Sequence, residues 1–282
     1  MKRLLVPVDF SASTNNSAAY AAALANELEF NEIILVANLY VPLFEQIIPS
    51  PDLIQVSESD IQSRMQTLRL QMEELKVVLL KKLDPAITVK VVISELPLVR
   101  SVLEQVTKDK PSLVLIGSNN TDTKENSMIG RQVIELTKVI PVPVLIIPGK
   151  SSYRSITDVL VACEFTSSVS LDPLQYLEKL NLWHHPRLLL LNLDPAQRNL
   201  LSANPVADMR DIVKHLPKGY EYEFYDLKDA AVLPGIIRFA EDKEAQLIVA
   251  LPGKHSFLYN LTHRNIQQQL SLNSLKPVLV LK

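Results

Sequence analysis

Leu5-Val6-Pro7-Val8-Asp9-Phe10-Ser11 is an apolar run closed by an acid, a phenylalanine and a hydroxyl residue. Leu160-Val161-Ala162-Cys163-Glu164-Phe165-Thr166 repeats it in residue type. A second pair of runs matches further on, Pro143-Val144-Leu145-Ile146-Ile147 with Pro277-Val278-Leu279-Val280-Leu281, at a smaller offset. The chain therefore carries one unit twice, the second copy shortened internally, and a repeat of this length decides the fold before any single motif does. Between the copies lies Pro148-Gly149-Lys150-Ser151-Ser152-Tyr153, a stretch of turn formers suited to a linker. The expected domains are residues 1–150 and 151–282, the latter shorter and degenerate.

Each copy alternates apolar β-type runs with longer helical patterns, which marks βαβ units around a parallel sheet. Strands are expected near 3–8, 32–39, 88–93, 112–116 and 143–147, then 157–163, 187–193, 221–226, 246–250 and 277–281. Ile33-Ile34-Leu35-Val36 and Leu113-Val114-Leu115-Ile116 are apolar on both alternating faces, so helices must cover both sides of the sheet. Helices are expected near 13–28, 59–83, 98–108 and 130–138, then 170–181, 205–216, 232–243 and 263–273. The longest carries Ile61, Met65, Leu68, Met72, Leu75 and Leu79 at alternating steps of four and three, with Ser59-x-x-Gln62 as a capping box. That stripe reads as a face packed on the sheet in preference to a coiled-coil seam. Most of the length missing from the second copy falls between its second and third strands.

Composition excludes several classes of function. The chain has 282 residues, 47% of them apolar and 21% charged, with a mean hydropathy of +0.12, which is ample for folded cores. Lys and Arg total 29 against 31 for Asp and Glu, so the basic excess of a nucleic-acid binder is missing. Apolar runs such as Leu188 to Leu191 are far too short to span a bilayer, and the N-terminal Met-Lys-Arg-Leu-Leu-Val-Pro-Val-Asp does not fit a signal peptide. The expectation is a cytoplasmic protein without nucleic-acid or membrane partners. Only 6 glycines occur where average usage would give about 20. No G-x-G-x-x-G is present, and Gly253-Lys254 lacks the upstream glycine and following hydroxyl of a P-loop.

Ligands of open α/β sheets bind beyond the carboxyl ends of strands, which directs attention to two loops of the first copy. Asp9 ends the first strand, and Gly117-Ser118-Asn119-Asn120 ends the fourth, ahead of a polar stretch leading to Gly130 at the next helix start. Free N–H groups at a helix start suit an anion, and a nearby carboxylate suits ribose hydroxyls or a metal. The plainer reading is that Asp9 caps the first helix and the polar stretch is a solvated loop.

On these residues the chain resembles the universal stress protein family in its tandem form. The resemblance covers nearly all of both halves. It rests on Val8-Asp9-Phe10-Ser11, on Gly117-Ser118, on Pro141-Val142-Pro143-Val144-Leu145-Ile146-Ile147-Pro148, and on a spacing. ATP-binding members carry G-x2-G-x9-G-[ST]; here the matching positions are Gly117, Asn120, Gly130 and Arg131. The resemblance implies two five-stranded parallel sheets of order 3-2-1-4-5, packed as a pseudo-dimer along their last strands. Periodicity alone leaves 2-1-3-4-5 open. It also implies an adenine nucleotide, ATP with Mg²⁺, with Pro7, Val8 and Asp9 flanking the nucleoside. The glycine loop, comprising Gly117, Asn119, Asn120, Gly130, Arg131 and Gln132, would wrap the phosphates. Homodimerisation and an unidentified protein partner are further implications, and weak ATP hydrolysis is an alternative.

The departures have physical content. Asn is the non-glycine residue best suited to positive φ, so Asn120 can hold the turn while crowding the site. Arg131 replaces a small hydroxyl; its guanidinium can clamp a phosphate or fill the phosphate position by pairing with Asp122 or Glu125. In the second copy the four positions fall on Leu251, Lys254, Arg264 and Asn265, with Glu164 in place of aspartate and Pro252 stiffening the turn. Lys254, His255, His263 and Arg264 read as a solvated basic loop or, less simply, as an anion pocket.

Other chemistry finds no support. His184 and His185 are adjacent and lack a third ligand at metal-binding spacing. Cys163 at a strand end reads as an inert thiol. Ser11 and Ser118 lack a G-x-S-x-G context, and Trp183 reads as packing. The apolar, proline-rich stretch Tyr40 to Ile54 reads as cover for its own core; a lid over the cleft or a surface for a second chain is the sharper alternative.

Overall fold

The computed structural model describes residues 1–40, 57–118, 128–163, 172–179, 185–193, 216, 218–227, 232–251 and 276–282. The described strands are β1 (Arg3–Pro7), β2 (Glu32–Asn38), β3 (Thr88–Ser94), β4 (Leu113–Ser118), β5 (Val144–Pro148), β6 (Asp158–Cys163), β7 (Arg187–Asn192), β8 (Tyr222–Asp226), β9 (Leu247–Ala250) and β10 (Val278–Val280). The described helices are α1 (Ala12–Glu27), α2 (Glu58–Leu80), α3 (Leu98–Asp109), α4 (Met128–Val139), α5 (Gln175–Lys179) and α6 (Val232–Asp242). The expected helices near 205–216 and 263–273 lie outside the described residues, as does the stretch 41–56.

All ten strands form one sheet in the order β3-β2-β1-β4-β5-β10-β9-β6-β7-β8. Read inward from its outer edge, each half has the order 3-2-1-4-5, so the alternative 2-1-3-4-5 is excluded. Within each half the pairings are parallel. The halves meet through an antiparallel pairing of their last strands, with Val278 opposite Ile146, Leu279 opposite Leu145 and Val280 opposite Val144. Both strands are buried β-branched and leucine runs, which is why they sit at the middle of the sheet.

Alternation along the strands sends side chains to two cores. Leu4, Val6, Ile33 and Leu35 face one side with Ala18 and Leu24 of α1 and Met72 and Leu79 of α2. Leu5, Ile34 and Val36 face the other with Val102 and Val106 of α3 and Val133 and Leu136 of α4. The second half keeps the same sides: Leu174 and Leu177 join the first core, Ile236 and Ala240 of α6 the second. Reversed strand direction with unchanged faces relates the halves by a two-fold rotation perpendicular to the sheet. The carboxyl ends of the two sets of parallel strands consequently point to opposite rims.

The stripe on α2 does pack on the sheet, with Met72 and Leu79 buried and Leu68 and Leu75 against them. Its capping box is not Ser59 with Gln62 but Ser57 with Asp60. Ser57 Oγ accepts from Asp60 N at 3.1 Å, and Ser57 N donates to Asp60 Oδ2 at 3.1 Å. The helix starts earlier than the periodicity indicates, and the shorter aspartate does the work expected of glutamine. Helix α4 likewise begins at Met128, so Gly130 lies inside its first turn. The helix expected at 170–181 is described as a 3₁₀ turn, Asp172–Leu174, running into the short α5.

Candidate functional site

Strand β1 ends at Pro7, opposite Val36 of β2, and Val8 continues the ladder by donating its N–H to Val36 O at 2.8 Å. Val8 is buried and Asp9 half-buried. The chain then turns through Phe10, whose φ of 59° is left-handed, and enters α1 at the N-cap Ser11. The first turn of α1 contains no acidic residue. Asp9 supplies the missing negative charge: its Oδ1 accepts from Ser11 N at 3.2 Å, Ser11 Oγ at 2.7 Å and Thr14 Oγ1 at 2.9 Å. A carboxylate at that place stabilises a helix start by about 0.3–1 kcal/mol. Ser11 Oγ lies 3.0 Å from Ser13 Oγ, so a compact hydroxyl–carboxylate cluster closes the strand-to-helix turn.

Strand β4, next to β1, ends at Gly117-Ser118. A Cβ on Gly117 would lie 2.6 Å from Ser13 O and 3.2 Å from Ser17 Cβ. The glycine is therefore required by the close approach of α1, a helix of small residues, to β4. Ser118 is buried and its Oγ donates to Ile147 O at 3.4 Å. Beyond β5, Asn16 of α1 donates through Nδ2 to Ser151 O at 2.9 Å and Pro148 O at 3.3 Å. The ends of β1, β4 and β5 thus converge on the N-terminal half of α1.

Of the residues expected around phosphates, Gly117 stands at this point, while Gly130, Arg131 and Gln132 lie in the first turns of α4, which returns from β4 to β5. Among the described residues the buried Oε1 of Gln132 finds no hydrogen bond. Asn119 and Asn120 lie outside the described residues. One strand away, at the carboxyl end of β2, a cavity of about 270 Å³ opens between Asn38 and Leu39 and the α2 residues Ser63, Arg64, Thr67 and Gln71. Among the described residues no group of three or more His, Cys, Asp or Glu is placed to hold a metal.

In the second half β6 and β9 are neighbours as β1 and β4 are, and Leu251 after β9 is buried. Glu164, Pro252, Lys254, His255, His263, Arg264 and Asn265 lie outside the described residues, as do Trp183 and His184. His185 stacks on Tyr220, with ring centroids 4.8 Å apart. The hydroxyls of Ser13 and Thr14 were missed from sequence; the spacing of Asp9, Ser11 and Thr14 was the available signal, since short polar side chains just before a helix cap it.

A model of the universal stress protein family matches residues 1–148. No curated protein matches the chain. Among solved structures, a universal stress protein from Archaeoglobus fulgidus DSM 4304 is 16% identical, with 99% of this chain and 98% of that chain covered and a TM-score of 0.65. A putative universal stress protein from Pseudomonas aeruginosa UCBPP-PA14 is 12% identical, covering 100% of this chain and 93% of that chain at a TM-score of 0.55. A universal stress protein in complex with cAMP is 12% identical over 53% of this chain and 98% of its own, at a TM-score of 0.37. At these identities the likeness is one of fold. No described helix is long and apolar enough to cross a membrane.

Proposed function

This chain belongs to the universal stress protein family, and we propose that it acts as a stress-response binding module whose first half takes an adenine nucleotide. The observation that carries this reading is the cavity at the end of β2, beside the junction of β1 and β4 where the strand order reverses. A nucleoside seated there would lie one strand from Pro7, Val8 and Asp9, which do not line the cavity themselves. The phosphates then run toward Gly117, Asn119, Asn120, Gly130, Arg131 and Gln132. The unused acceptor on Gln132 is a buried polar atom for which a ligand donor or water would be a partner. ATP is the fullest form of the ligand. Magnesium would arrive on its phosphates, neutralising their charge, because Mg²⁺ keeps most of its ligands as water and phosphate oxygen. Residues 1–150 and 151–282 are the two domains of this reading, the second with an eroded cleft, and the chain acts in the cytoplasm with a protein partner or a second copy of itself.

Binding is favoured over hydrolysis because Asp9 Oδ1 already accepts three hydrogen bonds from the α1 cap. The test is calorimetry of the full chain with ATP, ADP and AMP in the presence of Mg²⁺. Saturable heat, lost in Gly130→Val and Asp9→Ala variants that remain folded, is expected. Phosphate release above background, abolished by Asp9→Ala, would establish a weak ATPase instead. One observation favours a second reading, a ligand-free dimerising protein: Gly117 and Asp9 both have packing or capping duties that need no ligand. That reading requires the absence of heat with every nucleotide.

A further inference from the structure

The first-half strands end, and the second-half strands begin, on the same rim of the sheet, and a second cavity of about 490 Å³ opens there between the halves. It is lined by Tyr20 of α1, Lys150 and Arg154 after β5, Glu241 and Glu244 at the end of α6, and Gln246 and Lys276 ahead of β9 and β10. Its volume lies within the ~300–1,000 Å³ range of small-molecule sites.

The walls are fixed although the segment from 149 to 157 has no regular structure. Gln246 Oε1 accepts from Thr157 N at 2.9 Å and Asp158 N at 2.8 Å, and its Nε2 donates to Glu244 O at 2.7 Å. Asn16 holds Ser151 O from the opposite side. Glu244 sits at φ 52°, and Ala245 N donates to Ala240 O at 2.9 Å, the six-to-one bond that locks a helix end. The charged side chains therefore project from backbone that needs no ordering when a ligand arrives, which removes part of the entropic cost of binding.

Lys150 and Arg154 face the same cavity as Glu241 and Glu244, yet among the described residues none of these four makes an ion pair. Opposite charges that share a cavity without closing on each other can engage different parts of one molecule. A bare anion would meet two carboxylates and the negative end of α6. A neutral polyol would make no use of the guanidinium and ammonium charges. We propose that this cavity is a second ligand site and that it takes a sugar phosphate. The phosphate lies on the Arg154 fork and the Lys150 point charge. The sugar hydroxyls donate to Glu241 and Glu244, which as carboxylates only accept.

Calorimetry of the full chain with ribose 5-phosphate, ribose and inorganic phosphate tests the proposal. Ribose 5-phosphate is expected to bind saturably, and ribose and phosphate each at least about tenfold more weakly. Arg154→Ala is expected to weaken ribose 5-phosphate by about tenfold or more, as loss of a charge-assisted pair requires. Glu241→Gln should weaken it less. Both substituted residues are exposed, so the variants retain the fold, which a thermal melt verifies. The proposal is overturned by any of three results: no saturable binding, equal affinity for inorganic phosphate, or affinity that survives Arg154→Ala. None depends on whether the first-half cleft takes a nucleotide.

Discussion

Gly117 on β4 approaches Ser13 on α1 so closely that a methyl group on its Cα would come within 2.6 Å of the Ser13 carbonyl oxygen. The obstacle is backbone in the first turn of a helix, which cannot rotate away as a side chain can. Gly117→Ala is therefore expected to destabilise the protein by about 1–3 kcal/mol, read from urea denaturation. Gly149→Ala is the control: its nearest neighbour would be Ser118 O at 3.4 Å, an ordinary contact, and its effect should be small. Equal effects of the two substitutions would contradict the packing argument.

Scarcity of glycine leaves left-handed positions to other residues. Lys110 ends α3 at φ 49°, with its N–H bonded to Val106 O, and Glu29 follows α1 at φ 53°. Both are exposed. Lys110→Gly and Glu29→Gly should each raise stability, by up to about 1 kcal/mol, because glycine occupies this region without a Cβ penalty. The measurement is the denaturant midpoint. Phe10, at φ 59°, should not gain in the same way, since its ring packs against the core.

Acid should weaken the edge of the first half. Burial disfavours the ionised Asp109 carboxylate, but Lys90, at 2.7 and 2.8 Å, and Gln105 outweigh it and hold the pKa below the usual aspartate value. A depressed folded-state pKa contributes stability that is present above the unfolded value and lost as pH falls through the folded one. Stability should therefore decline as the pH drops below the ordinary aspartate range. Lys90→Met should flatten that decline in a series of denaturation curves.

Alkali should act on the second half through Tyr220. Burial, helped by Glu178, pushes its phenol up to about 12, and its ring stacks on His185. A raised folded-state pKa gives stability that is complete below the unfolded value and disappears as pH rises through the folded one. Loss is expected between pH 10 and about 12. Tyr220→Phe, followed by circular dichroism across that window, should shift the onset of unfolding upward.

Most strand positions were legible as short apolar runs bounded by turn formers, and Pro143 and Pro277 mark both central strands. The join of β5 to β10 was not legible from pattern, since a run buried on both faces does not specify its neighbour; the family resemblance supplied the meeting of the last strands, and their antiparallel direction comes from the structure. The start of α2 was misplaced because Ser57 and Ser59 are chemically equivalent candidates and only geometry selects the one that Asp60 reaches. Gly117 shows the limit at the site: a glycine demanded by a ligand loop and one demanded by an approaching helix are the same letter. The rim cavity left no trace in the sequence, because its walls come from separate segments of the chain, around Tyr20, Lys150, Glu241 and Lys276.

The β5·β10 seam sets Ile146 against Val278 and Leu145 against Leu279 within a single polypeptide. A self-associating protein with this seam would present each substitution twice across its axis and would come apart on dilution. Covalent fusion removes both constraints. The association here is independent of concentration, and a change on one side of the seam can be compensated on the other, so the halves are free to drift toward separate tasks.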